Sequence, residues 1–261
     1  MKTSKIFFLG TLLSSYIYAD HIWVTISSKN QEYKTQEYYI TKKFEHLDNE
    51  IMHAWERGYE VTDLEYAYRK WIAIFSKKKK KILQAYTSRE YFVEFLKASK
   101  KNIKSGYFLR DVEVWDNGWI GIFDKTDDIK DEILAYSEDL GDFKKILKEK
   151  KKNGYKIIDI EYGDDTWVGV LAKTDRFNNQ HFTITQDWTN TRTIIKDRWN
   201  EGYDITKLEY GDGYWITVFS KPTIQKNQAY NSVSKISSLK KVIKDIWNRD
   251  FYITQIAEGR D

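Results

Sequence analysis

The feature that most constrains this chain is a pattern that recurs every 48 residues along most of its 261-residue length. Tryptophan occupies one register of the pattern five times: Trp23, Trp71, Trp119, Trp167 and Trp215. The pair Gly-Tyr occupies another register four times: Gly58-Tyr59, Gly106-Tyr107, Gly154-Tyr155 and Gly202-Tyr203. Self-similarity at a fixed period of this size is typical of an array of one supersecondary unit. The chain is therefore predicted to be a tandem repeat.

The fourth copy shows what one unit contains. Residues 190–200 have apolar side chains at helical spacing, and Gly202 stands where a helix-terminating glycine belongs. Extended runs follow at 205–210, 215–220 and near 228–233, and Asp/Gly-rich turns such as 211–213 join the first two. The unit is thus βββα in cyclic order. The repeated tryptophans are expected in the core, the alternative being exposed rings that stack on sugars or peptides.

The two ends of the pattern carry complementary parts of one unit. Residues 21–27 match a second strand, whereas residues 252–258 match a first strand that follows a helix. An open array would need polar caps at both ends, and complementary ends instead favour a ring that hides its edge strands. The predicted fold class is α/β, a closed five-unit βββα ring with strands inside and helices outside. An open or curved array is the alternative.

The first 19 residues are typical of a secretory signal peptide. Lys2 and Lys5 precede an apolar stretch at 6–13, and Ala19 supplies the small residue that cleavage needs. The stretch is too short to span a bilayer, although a retained anchor is the alternative. The predicted domains are a signal peptide at 1–19 and a single ring domain of five repeats at 20–261. The expected location is the periplasm or the extracellular medium, without stable membrane insertion after cleavage.

Composition excludes several classes of chemistry. The chain has no Cys, which removes disulfides, thiolate ligands and Cys nucleophiles. Its 43 basic and 39 acidic residues nearly cancel, so no nucleic-acid partner is predicted. The Asp/Gly turns lack the spaced ligands of a calcium loop, and the four histidines lack metal-ligand spacing. We therefore expect no metal and no cofactor. The lysine run 77–81 is interpreted as solvated surface, with a phosphate or acidic-surface contact as the alternative.

The repeat resembles a known but uncharacterised module. The segment 199–220, WNEGYDITKLEYGDGYWITVFS, is similar to a W-x-x-G-Y repeat found in bacterial proteins and at the C-terminal end of plant casein-kinase-1-like kinases. Copies two and three depart from it, with Ile103 and Lys151 at the helix Trp position. The resemblance implies no activity. The cyclic βββα order is also similar to the pentein fold, whose guanidine-modifying members use a Cys nucleophile, so that chemistry is excluded here.

Candidate site residues lie on one face of the predicted first strands. Strand alternation places seven carboxylates and Lys207 on that face, and the carboxylates are Asp63, Glu65, Asp111, Glu113, Asp159, Glu161 and Glu209. If this face lines the axis of the ring, crowding raises some pKa values and favours a cation or a guanidinium group. The alternative is an ordinary solvated strand face.

The function predicted from these features is a secreted or periplasmic, non-enzymatic binding or protein-interaction module. Its partner would be a small cationic ligand or a protein or peptide, held at an acidic axial pocket. The alternative is a hydrolase that uses paired carboxylates, Glu161 with Glu209 or with Asp159, which would need two carboxylates with separated pKa values. The sequence contains no hydrolase or phosphate-binding signature motif.

Overall fold

The computed structural model describes residues 21–30 and 32–261, so the predicted signal peptide lies outside the described residues. Fifteen strands and five helices follow one another in this part of the chain. The second strands of the units are β1 His21–Asn30, β4 Lys70–Lys78, β7 Gly118–Lys125, β10 Thr166–Thr174 and β13 Tyr214–Lys221. The third strands are β2 Tyr33–Thr41, β5 Gln84–Arg89, β8 Ile129–Ser137, β11 Asn179–Thr185 and β14 Gln225–Val233.

The remaining elements complete each unit. The helices are α1 Phe44–Glu56, α2 Phe92–Lys104, α3 Leu140–Lys152, α4 Trp188–Asn200 and α5 Ile236–Trp247. The first strands are β3 Glu60–Ala67, β6 Tyr107–Trp115, β9 Lys156–Gly163, β12 Asp204–Gly211 and β15 Tyr252–Arg260. Every element predicted for the fourth copy is present, with boundaries that differ by a few residues. None of the helices in the described ranges is long and apolar enough to cross a membrane.

Local backbone chemistry explains the turns that separate these elements. Gly202 follows α4 with a φ of +79°, a left-handed conformation that glycine adopts without strain, so its predicted role is confirmed. Asp212 and Gly213 join β12 to β13 with φ values of +46° and +78°. Two successive positive φ angles are required by the tight hairpin turn for which Asp-Gly is preferred. The hairpin predicted at this place is confirmed.

The sheets are five separate three-stranded antiparallel sheets, each with a second strand in the centre. In the sheet ordered β2-β4-β3, the strand before the helix pairs with β4 from one side and β3 pairs from the other. This sheet is therefore built by a contiguous β-α-β-β segment of the chain. The third strand of one unit pairs in the sheet whose other two strands follow the next helix. The fifth sheet differs because β1 lies between β14 and β15, pairing His21 with Arg260 and Trp23 with Val233.

The core is the repeated aromatic pattern packed under the helices. All five second-strand tryptophans are buried, with at most 3% of their surface exposed. Phe143 of α3 stacks on Trp167 with ring centroids 5.9 Å apart, and Trp188 of α4 lies 5.0 Å from Trp215. Aromatic pairs at such separations add stability beyond burial alone. The prediction that these tryptophans form the core is confirmed.

A repeated lysine explains the Gly-Tyr motif. Each second strand ends near a lysine whose ammonium group lies over the aromatic ring that follows the helix; Lys221 lies 4.0 Å from the centroid of Tyr203. Lys221 Nζ also donates to the carbonyl of Glu201 at the end of α4, 3.1 Å away. The five pairs are Lys29-Phe251, Lys77-Tyr59, Lys125-Tyr107, Lys173-Tyr155 and Lys221-Tyr203. The pairing stabilises the end of the helix, since a cation is favourable at a helix C-terminus.

A repeated glutamine ties each third strand to a first strand. Gln228 accepts hydrogen bonds from Trp199 Nε1 and from the backbone of Ile205, and donates to the carbonyl of Ile205. The same backbone pairing is made by Gln36, Gln84 and Gln180. In the copy that lacks the helix tryptophan at Ile103, Glu132 stands in place of glutamine and accepts only from Leu109 N.

Neighbouring units meet through their first strands. β3 contacts β6, β6 contacts β9, β9 contacts β12, β12 contacts β15, and β15 contacts β3. The architecture is thus an α/β assembly of five three-stranded sheets and five helices, consistent with a five-unit βββα repeat. The polar faces of the first strands lie where neighbouring units contact each other. These contacts position the candidate site.

Candidate functional site

The polar face of the first strands is buried. The seven carboxylate residues predicted as a site expose between 1% and 9% of their surface. The alternative of an ordinary solvated strand face is therefore wrong. Burial of so many carboxylates is rare because charged groups lose hydration, and it requires hydrogen bonds or counterions. The repeat arranges these residues in two levels, two positions apart along each strand.

The first level, called here the aspartate level, contains Asp63, Asp111, Asp159, Lys207 and Gln255. Its acidic members accept hydrogen bonds from the backbone of the adjacent first strand: Asp111 Oδ2 accepts from Leu64 N at 2.7 Å. Asp159 accepts in the same way from Val112 N, and Asp63 from Ile256 N. Gln255 both accepts from and donates to the backbone of Leu208. These side chains therefore link neighbouring units where no sheet hydrogen bonds exist.

Lys207 supplies the cation of the aspartate level. Its Nζ lies 2.6 Å from Asp159 Oδ1 and 3.6 Å from Asp111 Oδ1, and its side chain is 9% exposed. Burial alone would lower the pKa of Lys207, but the carboxylates of Asp159 and Asp111 raise it well above its usual value. The ammonium group is thus charged and held between two units. A buried pair of this kind is costly to break because the remaining charge loses its partner.

Two aspartates at this level hold their protons unusually tightly. Burial raises the pKa of Asp111 to about 7, and the charge of Asp159 adds to the effect while Lys207 opposes it. Burial and the neighbouring Asp111 raise the pKa of Asp63 well above its usual value. Near neutral pH Asp111 is therefore only partly ionised, and a cation placed against it would favour the charged carboxylate.

The second level, called here the glutamate level, contains Glu65, Glu113, Glu161 and Glu209, with Ala257 at the fifth position. Glu113 accepts a hydrogen bond from Tyr66 N, and Glu65 accepts one from Glu258 N. Burial raises the pKa of Glu209 to about 8. Burial and the neighbouring glutamates raise the pKa values of the other three well above the usual range. Glu209 is therefore mainly a neutral acid at neutral pH, and burial favours the neutral form of the other three as well.

A cavity of about 1280 Å³ opens at the aspartate level. All five first strands contribute to its lining, which includes every member of the aspartate level. Among the described residues that line it, none belongs to the glutamate level. The structure thus brings Asp63, Asp111 and Asp159 to one cavity and places Glu65, Glu113, Glu161 and Glu209 outside its lining.

A β-bulge in every first strand places one more residue at the cavity. The register with the second strand shifts at the position just before the aspartate level in all five sheets. The bulged residues are Thr62, Arg110, Ile158, Thr206 and Thr254, and all five line the cavity. Bulges redirect side chains and are frequent next to binding sites.

Two bulged residues differ from the threonine of the other three: Ile158, which is apolar, and Arg110, which is charged. In two sheets the bulged threonine bonds to a serine of the second strand, Thr62 to Ser76 and Thr206 to Ser220. The equivalent pair in the second sheet is Arg110 with Asp124, whose Nη1 and Oδ2 are 3.1 Å apart. Burial would raise the pKa of Asp124, but Arg110 and Lys78 lower it below its usual value. Sequence reasoning missed this ion pair, although its departure from the Thr/Ser pattern was a readable signal.

The cavity mouth is formed by the connections between second and third strands. Lys79, Lys80 and Lys81 are exposed in one such connection, together with Leu83, which is 60% exposed. Ile224 lies in another and is 57% exposed. The predicted solvated lysine run is therefore correct in exposure for these three lysines but not for Lys78. The Lys78 side chain is 8% exposed and forms an ion pair with Glu60 at 2.8 Å.

The cavity brings charged side chains of both signs together. Within the described ranges, no group of three or more His, Asp or Glu side chains is arranged to hold a metal ion. The cavity instead presents aspartates, a paired lysine, a paired arginine and exposed lysines to the same space. Concave sites with a few convergent polar groups are the usual location of small-molecule binding.

Fold and site together define a tandem-repeat α/β protein with a polar cavity between its units. A family described as Domain of unknown function (DUF7477) matches residues 136–261 of the chain. The match begins at the end of β8 and extends through α3, α4 and α5 to β15. The C-terminal part of the chain is thus similar to a family that has no assigned activity. A comparison with curated proteins finds no match.

Proposed function

We propose that this protein is a secreted or periplasmic, non-enzymatic binding module that takes a small cationic ligand in the cavity at the aspartate level. The observation that carries the proposal is one cavity lined by all five first strands, with Asp63, Asp111 and Asp159 at its wall. Buried carboxylates with raised pKa values are costly to ionise alone. An ammonium group that replaces the shared protons would relieve that cost.

The proposal includes closure of the five units into a ring, similar in topology to the penteins and built from a W-x-x-G-Y repeat. Closure is supported by the cyclic order of first-strand contacts, in which β15 contacts β3. It is supported also by β1, which lies between β14 and β15. The hydrogen bond from Ile256 N to Asp63 links the last and first of these units in the same way as the others are linked.

Secretion is proposed from the first 19 residues. Lys2 and Lys5 followed by the apolar stretch 6–13 fit an export signal, and the lack of Cys suits an oxidising compartment. A cavity ligand would then be a solute met outside the cytoplasm.

The geometry favours binding over the hydrolase alternative. Asp159 uses Oδ1 for Lys207 and Oδ2 for Val112 N, so both oxygens are engaged. Glu161 and Glu209, the other proposed catalytic pair, are buried outside the cavity lining. A general acid or base must come within hydrogen-bond reach of the substrate.

Calorimetric titration with the diamine cadaverine at pH 7 tests the proposal. We expect saturable binding that weakens at least about ten-fold in Asp63→Asn, because one charge-assisted contact is lost. Glu65→Gln is the matched control, since it removes a carboxyl from the same strand outside the cavity, and it should bind as the wild type does. Absence of binding to the wild type, or equal weakening by both variants, would contradict the proposal.

A further inference from the structure

We infer that the ligand of this cavity is a small zwitterion, with its ammonium group at the aspartate level and a carboxylate at the lysines of the mouth. The inference rests on the proposed function and deepens it by naming the class of ligand. It comes from the uneven distribution of charge between the two ends of the cavity, not from the aspartates alone.

The three lysines of the mouth form no ion pair with another described residue. Elsewhere in the cavity each lysine with an ion pair is neutralised at short range: Lys78 by Glu60 at 2.8 Å and Lys207 by Asp159 at 2.6 Å. In the described part of the chain, Lys79, Lys80 and Lys81 have no carboxylate within ion-pair distance. The same lining also contains Glu32, Asp127 and Asp128, and Asp128 is paired with Arg176 at 2.8 Å. The three lysines outnumber the other two carboxylates, so the mouth keeps a net positive charge above the acidic aspartate level.

Arg110 adds an unused donor to this side of the cavity. Its Nη1 bonds to Asp124, but its Nε is buried and has no hydrogen-bond partner among the described residues. A buried donor without a partner costs free energy unless a ligand or water satisfies it. Guanidinium and ammonium groups bind carboxylates well, the former in a fixed planar geometry.

The basic side of the cavity is formed by residues that depart from the repeat. These residues are therefore not part of the pattern that all five units share. Thr62 and Thr206 show that a threonine suffices at the bulge, yet the second unit has Arg110. The other connections between second and third strands have no lysine triplet. Arg110 and the lysine triplet each occur in one unit only and line the same cavity, as expected of residues that serve a ligand.

The cavity mouth also has apolar surface that could contact the segment between the two charged groups of a zwitterion. Leu83 and Ile224 line the same cavity and leave more than half of their surfaces exposed. A short aliphatic segment between the two charged groups of a zwitterion would cover part of this apolar surface, and burial of apolar area is favourable. An α-amino acid with a basic side chain has all three parts.

Paired titrations with L-lysine and cadaverine at pH 7 test the inference. The two probes share their ammonium groups, and only lysine carries a carboxylate. A purely acidic cavity would bind cadaverine more tightly because of its higher positive charge. A cavity with both acidic and basic groups should bind L-lysine about ten-fold more tightly than cadaverine, because the carboxylate of lysine gains charge-assisted hydrogen bonds.

The decisive variant is the triple change Lys79→Gln, Lys80→Gln and Lys81→Gln. It should abolish the preference for lysine and leave cadaverine binding in place. Lys97→Gln, Lys100→Gln and Lys101→Gln together form the control, because these lysines are equally exposed on α2, away from the cavity. Cadaverine binding with no gain for lysine, or a gain that survives the triple change, would overturn the inference. Failure to bind either probe would instead overturn the proposed function.

Discussion

The aspartate and glutamate levels occupy the same five strands, two residues apart, and yet they differ in chemistry. The aspartate level holds its own cation, Lys207, and opens onto the cavity. The glutamate level has four carboxyls, with Ala257 at its fifth position, and lies outside the cavity lining. Two carboxyls of the aspartate level lie next to a cation and face a space that a ligand can enter, whereas the carboxyls of the glutamate level form no ion pair among the described residues.

Residues that recur in the repeat hold the units together, whereas the charged residues that occur in one unit only distinguish the cavity. At both levels a backbone N–H of the neighbouring first strand donates to a carboxylate, and these hydrogen bonds join the units. Lys207, Arg110 and the lysines of the mouth each occur once.

The largest effect is expected from Lys207→Met. The change leaves Asp159 and Asp111 buried without their counterion, which should lower the free energy of unfolding by about 3–5 kcal/mol at pH 7. Urea unfolding measures it, and the loss should be smaller at pH 5, where Asp111 is protonated.

Lys221→Met is the control for this experiment. Lys221, unlike Lys207, is repeated in every unit, and it lies over Tyr203 near the surface, so its loss should cost about 1 kcal/mol or less. Equal losses in both variants would mean that Lys207 is no more than another surface-type contact, and the contrast between the levels would fail.

A second prediction concerns pH. Burial raises the pKa of Glu209 from 4.5 to about 8 and that of Asp111 from 3.8 to about 7, so the folded protein binds more protons than the unfolded chain. Stability should therefore fall as pH rises from about 5 to about 9. Melting temperatures followed by circular dichroism across this range measure the slope.

Glu113→Gln with Glu209→Gln should flatten that slope and stabilise the protein at pH 9, by on the order of 2 kcal/mol. The aspartate-level counterpart, Asp159→Asn, should instead lower the melting temperature at every pH because it breaks the pair with Lys207. A steeper slope in the glutamine variant would be incompatible with neutral acids at the glutamate level.

The smallest effect is expected at Glu132, a buried carboxyl that lies outside the clusters of carboxyls at the two levels. Glu132 replaces the repeated glutamine, its Oε2 is buried without a partner among the described residues, and burial raises its pKa to about 8. Glu132→Gln should restore the donor seen in the other units and add about 1 kcal/mol at pH 9, with little change at pH 5. Chemical unfolding at the two pH values measures both.

Gln180→Glu is the reverse experiment. It introduces a buried acid where glutamine now bonds to Ile157 and Ser220, and it should cost about as much at pH 9 as the first change gains. If neither change depends on pH, burial of Glu132 is not what raises its affinity for protons.

The fold was largely predictable because its signals are local. Trp215 marks the start of a buried strand, Gly202 ends a helix and Asp212-Gly213 makes a hairpin, each by short-range rules. The repeated Lys221 and Gln228 were equally visible at 48-residue spacing but were not recognised as contacts. Their roles depend on packing between elements, which spacing alone does not give.

The site was predictable only in part. Strand alternation identifies the face that carries Asp63 and Glu65 but not the direction in which it points. What allows that face to be buried is a bond such as that from Leu64 N to Asp111, made between residues 47 apart in different sheets. The bulge at Arg110 and the cavity depend on the same long-range arrangement, so the sequence could not separate the two levels.

The position of β1 has a consequence for how the molecule assembles. His21 contacts Glu258, 237 residues along the chain, so the fifth sheet is the most non-local part of the fold and we expect it to form late. Until β1 arrives, β14 and β15 flank a vacant slot with two unpaired strand edges. At high concentration during refolding, the β1 strand of a second copy competes for that slot, which makes strand-swapped oligomers the characteristic misassembly of this architecture.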